Sequence, residues 1–500
     1  MSSQTVRPFN RLALSLALLC AWCAPPAPTR AQEQPPEQKK DKKQAQTSDD
    51  DQARQLGKKD RSRGHDMLKE IKKDVEQFYY DKTFRGVDLD ARFKLAHEKV
   101  DAAQSLGQMF GVIAQLLIEF DDSHTFFIPP RRSVRTVYGW EMSMIGDDCL
   151  VTDVSKDSDA AAKGLKRGDK VLWLDGYTPA RENFWKLKYL FDTLRPQPAL
   201  NVFVQSPGEA QPRPLTLVAK YDEPEDLYDL FFGGGEKSEQ EEKEPPKADP
   251  ERETHFGEHR FHEFKDGPVV WQMPEFDLSE GAVDKIMREK IAPHTALVLD
   301  LRGNPGGYEI TLLRLLGHFF DKDVRIGEIQ RRKGVKQLSA KARGDKAYTG
   351  KLVVLVDSGS ASSAEIFART IQLEKRGVVL GDRTAGAVMR ALQVGHFVDE
   401  PGMMTANLIS YGISVTDADL IMTDGKSLER NGVAPDERLL PTPADLAALR
   451  DPVLARALEL AGLKLDADKA GALFPPREPK PKKKKKEKDK DKDKNKTGDK

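Results

Sequence analysis

Residues 295–307 read TALVLDLRGNPGG. From Ala296 to Leu299 no side chain is polar, and a turn of three glycines follows within eight residues. A continuous aliphatic run bounded by turn residues predicts a strand buried on both faces, as in a parallel sheet. The next stretch, YEITLLRLLGHFF (308–320), repeats its apolar positions every three or four residues and predicts a helix. The same alternation recurs downstream. KLVVLVDSG (351–359) predicts a second buried strand, SSAEIFARTIQLEKR (362–376) a helix, and GVVLGDRTAG (377–386) a strand and turn. TPADLAALRDPVLARALELAG (442–462) predicts a closing helix. Residues 263–472 are therefore expected to form one α/β layered core.

Upstream the pattern changes twice. In 65–131, DMLKEIKKDVEQFYY and AAQSLGQMFGVIAQLLIEF carry helical periodicity, ending at Pro129 and Pro130. In 132–222, CLVTDV, KVLWLDG and ALNVFVQ are short strand-like runs, and ENFWKLKYLFDTL is an amphipathic helix.

The remaining segments cannot build a core. Of 500 residues, only 38% are hydrophobic while 32% are charged, a low apolar share for a wholly folded chain. The diluting stretches are 32–64, the acidic insert within 223–262 (EKSEQEEKEPPKADPERET) and the Lys/Asp-rich tail 473–500. Lys plus Arg is 80 and Asp plus Glu is 80, which argues against a nucleic-acid partner. The balance is uneven, because residues 477–500 hold thirteen basic against six acidic side chains. A weak contact of that tail with anionic surfaces is one reading, and a solvated tail is the other.

Residues 1–31 have the layout of an export signal. Arg7 and Arg11 precede the apolar run LALSLALLCAWCA, and Thr29 and Ala31 flank a cut before Gln32. The run is too short for a good membrane span, so no stable span is expected after cleavage. The expected compartment is the periplasm or another exported site. Of three cysteines, Cys20 and Cys23 fall in the signal and Cys149 stands alone, which excludes a disulfide framework and a four-cysteine zinc site.

Two stretches could carry chemistry. DLRGNPGG (300–307) follows a buried strand, and its glycines let backbone amides approach a ligand. A phosphate loop would need a Gly-Lys-Ser/Thr ending, which is absent; amide donors to an oxyanion, or a plain turn, remain. DSGSASSAEIF (357–367) places four serines between a strand and a helix N-terminus, where serines serve as caps or as exposed nucleophiles. No G-x-S-x-G elbow occurs, which argues against an α/β-hydrolase. His124, in DSHTFF, lies among polar residues before the prolines. His255, His259 and His262 have metal-ligand spacing, but they lie in or beside the acidic insert, and irregular sequence rarely preorganises a metal. No metal or cofactor is expected.

In order, DLRGNPGG, SASSAEIFA, VVLGDRTAGA and ERNGVAPDE stand behind GLKRGDKVLWLDG, which itself resembles a PDZ domain. The combination resembles the serine-peptidase family of carboxyl-terminal processing (tail-specific) proteases and the tricorn core protease, over about residues 66–465. The resemblance implies a crotonase- or ClpP-like α/β protease core, an N-terminal helical unit, an inserted β-rich PDZ domain and a protein or peptide substrate. It places the nucleophile three residues before Glu365, at Ser362. It implies oxyanion donors at Ser363 and at Gly306 or Gly307.

One departure matters. The tail-specific branch has a lysine directly after the glycine of its G-E-x-T-x-G-K stretch, where this chain has Ala387. The tricorn-like branch instead carries a Ser-His pair after its helices and a glutamate before G-V-x-P-D, matched here by Ser123, His124 and Glu429. The resemblance thus implies Ser362 as nucleophile and His124 as base, oriented by Glu429 with Ser123; Asp424 is the alternative acid. Two other functions stay open: a silent peptide-binding relative, and a PDZ-based adaptor using the Lys-rich tail. The YGWEMSMIG stretch (138–146) differs from the small-apolar loop that holds a terminal carboxylate in PDZ domains. The substrate and oligomeric state are not legible.

Overall fold

The computed structural model describes residues 56–130, 132, 134–222, 252–398 and 409–475. The expected signal segment with Cys20 and Cys23, most of the acidic insert and the basic tail lie outside the described residues.

Three helices come first: α1 (Lys58–Phe78), α2 (Leu89–Ala102) and α3 (Leu106–Ile118). Asp88 caps α2 by accepting the Ala91 amide, and Ser105 caps α3 by accepting that of Gln108. The periodic side chains Leu68, Ile71, Val75, Phe93, Val100 and Ile113 are buried together. Helix α1 starts upstream of residue 65, inside the stretch expected to be structureless. There Leu56 is buried, the Asp60 carboxylate accepts the Gly57 amide at 3.0 Å, and the Arg61 guanidinium donates to the carbonyls of Leu56, Asp101 and Ala103, so a polar sequence is held by an apolar contact, a cap and one arginine.

After α3 the chain runs through Asp121–Thr125 into β1 (Phe126–Ile128). Next, β2 (Arg135–Val137) leads into β3 (Trp140–Ile145), β4 (Asp148–Val154), the short α4 (Asp159–Ala162) and β5 (Lys170–Leu174). Helix α5 (Phe184–Lys188), extended by a π turn to Leu194, precedes β6 (Ala199–Gln205) and β7 (Arg213–Val218). Strand β8 (Lys220–Asp222) pairs antiparallel with β2 and closes the neck of this unit. Its sheet has the order β3-β4-β5-β6-β7, so β3 is an edge. Its small core includes Val151, Val171, Leu187, Phe191 and Val202, with Cys149 a buried free thiol.

The remaining elements build two further sheets. A hairpin of β9 (Arg252–Phe256) and β10 (His259–Glu263) pairs with β11 (Val269–Gln272). Residues 252–262, expected as linker, thus belong to a sheet; Arg260 and Phe261 are buried, a packing that local charge content conceals. Helix α6 (Glu280–Ile286) precedes β12 (Ala296–Asp300), and α7 (Glu309–Gly317) precedes the hairpin β13 (Val324–Arg331) and β14 (Gly334–Ala340). Then follow β15 (Lys351–Val356), α8 (Ser363–Leu373), β16 (Val378–Gly381), β17 (Arg390–Val398), β18 (Ile409–Met422) and β19 (Glu437–Arg438).

The seven-stranded sheet has the order β19-β16-β15-β12-β11-β10-β9 and is parallel from β11 through β19. Alternate residues of β12 face opposite ways. Leu297 and Leu299 join Leu312, Leu316 and Phe367 on one side, while Val298 joins Val453 and Leu458 on the other. Both faces are covered, which is why the strand reads as an unbroken aliphatic run. The other sheet has the order β1-β18-β13-β14, with β17 on β18. Phe127 of β1 is opposite Ile413 of β18, which fixes the segment carrying His124 to the core. The fold is mixed α/β.

The expected closing helix is broken in two, α9 (Pro443–Ala447) and α10 (Pro452–Leu460), and a further short helix, α11 (Ala467–Ala472), follows. The single helix expected across 442–462 fails at Asp451. Pro452 bars the helical conformation there, and the Asp451 carboxylate caps the new helix at the Leu454 amide.

Candidate active site

Strands β12, β15 and β16 are neighbours, so the loops at their carboxyl ends, 301–308, 357–362 and 382–388, lie side by side. A crevice at such strand ends is where open α/β sheets bind ligands. Short polar side chains weld the loops together. Asp357 Oδ1 accepts from the amides of Gly303, Gly359 and Ser360 at 2.8, 2.9 and 3.1 Å. Ser360 Oγ donates to the Leu301 carbonyl at 2.7 Å, and the Ala361 amide donates to the Asn304 carbonyl at 2.9 Å. Arg302 braces the first loop from below, pairing with Asp300 at 2.7 Å and Asp451 at 2.8 Å.

Ser362 occupies the N-cap of α8 with φ +53°, a left-handed value that an L-residue adopts only under local constraint. Its amide donates to the Ala387 carbonyl at 2.8 Å and to Glu365 Oε2 at 3.1 Å. Gly306 abuts it: with φ +104°, a Cβ here would stand 2.6 Å from the Ser362 Cβ. The Gly306 amide is taken by Asn304 Oδ1 at 2.8 Å, so it is not available to a substrate oxygen. The amides of Gly307 and Ser363 have no hydrogen-bond partner among the described residues. The Gly307 carbonyl is held by the Ser363 hydroxyl at 3.0 Å.

The imidazole side is built by a different sheet. Asp122, buried, accepts from the amides of His124 and Thr125 at 3.0 and 2.7 Å, and from the hydroxyls of Tyr79, Thr125 and Thr416. This hub sets the backbone direction at His124. The ring's Nδ1 lies 2.7 Å from Ser123 Oγ, and Ser123 Oγ donates to Glu429 Oε2 at 2.9 Å. Glu429 also accepts the Ser123 amide at 2.8 Å and the Val388 amide at 3.1 Å. The single hydroxyl proton of Ser123 is committed to the carboxylate, so Nδ1 must carry the proton toward Ser123. Nε2 is left as the basic nitrogen. Burial holds the His124 pKa below its ordinary value, against the pull of Asp122, and burial raises that of Glu429.

Ser123, His124 and Glu429 therefore stand together, with Glu429 reaching the imidazole through the Ser123 hydroxyl. No hydrogen bond joins His124 directly to Ser362. The two are tied through adjacent residues instead: Ala387 carries the carbonyl bonded to Ser362, and Val388 the amide bonded to Glu429. Ala387 presents only a methyl beside Ser362, where the lysine of the other branch would stand. Asp424 is held by Arg369 at 2.6 Å, and no hydrogen bond joins it to His124 or Ser123. The three spaced histidines stand on strands, not in irregular chain; His259 Nε2 lies 2.9 Å from Asp277 Oδ1 and its Nδ1 accepts from Trp271. Among the described residues no group of three or more His, Cys, Asp or Glu side chains is placed to hold a metal.

Two residues escaped the sequence reading, Asp122 and Asn304, and the role of a third, Glu365, was not foreseen. In the sequence Glu365 served only as the motif glutamate that marks Ser362 three residues before it. It is fully buried, and burial pushes it up to about 7 while its hydrogen-bond donors pull the other way.

Residues 270–439 match peptidase family S41. The chain is 29% identical over 138 residues to the "Carboxy-terminal processing protease CtpA" of Bacillus subtilis (strain 168), a match covering 28% of this chain and 27% of that protein. It is 24% identical over 392 residues to the "C-terminal processing peptidase, chloroplastic" of Tetradesmus obliquus, covering 74% of this chain and 77% of that one. Among solved structures, mature CPAF superposes with a TM-score of 0.55 at 15% identity, covering 77% of this chain and 94% of that chain, a likeness of fold. The alignment thus spans less than a third of the length of CtpA, and the matched region contains all three loops of the crevice. The stretch that carries the crevice, residues 270–439, is thus similar to peptidase family S41.

Proposed function

We propose that the chain is an exported serine endopeptidase that hydrolyses peptide bonds of protein substrates through an acyl-enzyme. The carrying observation is the ordered set Ser123–His124–Glu429, tied to Ser362 through Ala387 and Val388. His124 Nε2 takes the Ser362 hydroxyl proton as Oγ attacks the substrate carbonyl carbon. The amides of Ser363 and Gly307 receive the resulting oxyanion. His124 then gives its proton to the leaving amine. A water attacks the acyl carbon as His124 takes one of its protons, and His124 then passes that proton to Ser362 Oγ as the acyl–oxygen bond breaks and the acid product leaves. Glu429 stabilises the imidazolium through Ser123. Closure of the last gap between Ser362 and His124 accompanies substrate binding, as hydrogen bonds of this kind tighten in the reacting complex.

The five-stranded unit is proposed as a PDZ domain inserted before a crotonase- or ClpP-like core. Its edge strand β3 offers unpaired backbone for an extended peptide to join. The β3–β4 hairpin rests on the crevice loops, where Ser358 Oγ donates to the Met144 carbonyl and the Gly146 amide donates to Asp382 Oδ2 at 2.8 Å; Arg181, from the loop after β5, also pairs with Asp382. A peptide captured at β3 is thereby delivered beside Ser362. The names of the relatives point to cleavage near substrate carboxyl termini. Export rests on residues 1–31, and no helix among the described residues is long and apolar enough to cross a membrane.

The missing direct bond between Ser362 and His124 favours a second reading, a silent peptide-binding relative. A fluorophosphonate separates them. It should label the wild-type chain and not Ser362→Ala; a wild-type chain that stays unlabelled supports the silent scaffold.

A further inference from the structure

Glu365 is fully buried, and none of its hydrogen-bond partners is a cation. An ion in that position costs several kcal/mol of lost hydration unless donors replace the water. Four donors do so. Oε2 accepts the amides of Ser362 at 3.1 Å and Ala387 at 2.8 Å. Oε1 accepts the Gly386 amide at 2.8 Å and the Thr384 hydroxyl at 2.5 Å. Thr384 Oγ1 itself accepts the Val433 amide at 2.6 Å, which commits its proton to Glu365. A helix cap needs only the first of these contacts and stays near solvent. The other three reach a separate segment, the 384–387 turn.

That turn is strung between two carboxylates. Glu365 holds it at Gly386 and Ala387, and Glu429 holds it at Val388. The Ala387 peptide is fixed on both sides, its amide on Glu365 and its carbonyl on the Ser362 amide. The turn is therefore the physical spacer between the serine and the imidazole group. No lysine side chain spans the gap in this chain, so that spacing rests on backbone.

We propose that Glu365 is the positioning residue that sets Ser362 relative to the His124–Ser123–Glu429 group, by clamping the Ala387 peptide between the two. The inference rests on the reading of Ser362 as nucleophile. It predicts an uncommon intolerance. Glutamine is the same size, but its NH2 would face two donors wherever it turned, since each carboxylate oxygen already receives a pair. Aspartate keeps the charge and both acceptors on a shorter stem.

The test uses the full-length chain and a fluorophosphonate probe, separating the maximal labelling rate from probe binding, well below the melting temperature of each variant. Glu365→Gln should lower the maximal rate by about 100-fold, the scale of a 1 Å misplacement, with probe binding unchanged. Glu365→Asp should recover part of that loss. Thr384→Val, which removes one donor and keeps the carboxylate, should fall between wild type and Glu365→Gln, and serves if the latter does not fold. A labelled wild type with Glu365→Gln or Thr384→Val folded and reacting within twofold of it overturns the inference alone. An unlabelled wild type overturns the nucleophile reading and the inference with it.

Discussion

The Ser123 hydroxyl donates to Glu429 Oε2 at 2.9 Å across 306 positions of sequence. This one contact fixes the tautomer of His124, because the oxygen between them has only one proton to give. It also differs from a direct carboxylate–imidazole pair, in that the acid acts at one remove. Removing the intermediary should therefore cost nearly as much as removing the acid. Ser123→Ala and Glu429→Gln are each expected to lower the fluorophosphonate labelling rate by about 10²–10⁴-fold, the upper end being the cost of a wrong tautomer in triads of this type. A Ser123→Ala variant as reactive as wild type would show that the relay is ornamental.

Acidification should silence the site. Burial holds the His124 pKa below its ordinary value, so the ring is neutral and able to accept at neutral pH. The labelling rate should fall as pH drops through a midpoint below about 6.5, the reference histidine value. Between that reference and the folded-state pKa the unfolded chain binds the proton first, so this group also removes stability as pH falls. Labelling measured from pH 8 to pH 5 checks the midpoint.

Glu365 works in the opposite sense on stability. Burial raises its folded pKa to about 7 from the ordinary 4.5, so the folded chain holds a proton that the unfolded chain has released between those values. Stability from this group is present at low pH and is lost as pH rises from 4.5 through 7, with a slope of up to about 1.4 kcal/mol per pH unit. Denaturant melts of wild type and Glu365→Gln across that window should diverge with pH; parallel curves would contradict the burial argument.

Gly306→Ala should abolish labelling with the chain still folded. The added methyl meets the Ser362 Cβ at 2.6 Å, and φ +104° is strained for alanine. Circular dichroism and labelling of the same sample distinguish a blocked site from an unfolded one.

Deleting residues 477–500 should leave peptide hydrolysis intact, since Ser123, His124, Ser362 and Glu429 all precede that tail. Loss of hydrolysis on this truncation would favour the adaptor reading.

The α/β layering was legible because burial on both faces leaves unbroken aliphatic runs at Ala296–Leu299 and Leu352–Val356. The Ser123–His124–Glu429 grouping was legible only through a family pattern, since nothing local links two residues 306 positions apart. The roles of Glu365 and Asp122 stayed hidden for a physical reason: both accept backbone amides, and amides leave no trace in side-chain identity. The break at Pro452 could have been seen, because proline disfavours a helix at the residue before it. The β9–β10 hairpin could not, as its charged residues match the acidic insert in composition while Phe261 packs inward.

The central claim is that an imidazole carried by the helical front of the chain activates the serine at the head of α8. Its most direct measurement is the rate of fluorophosphonate attachment to Ser362, located by peptide mass spectrometry, in wild type and in His124→Ala. The account predicts attachment at Ser362 in wild type and a rate reduced by about 10³-fold or more without the ring. Equal rates in the two chains, or attachment at another serine, would contradict it.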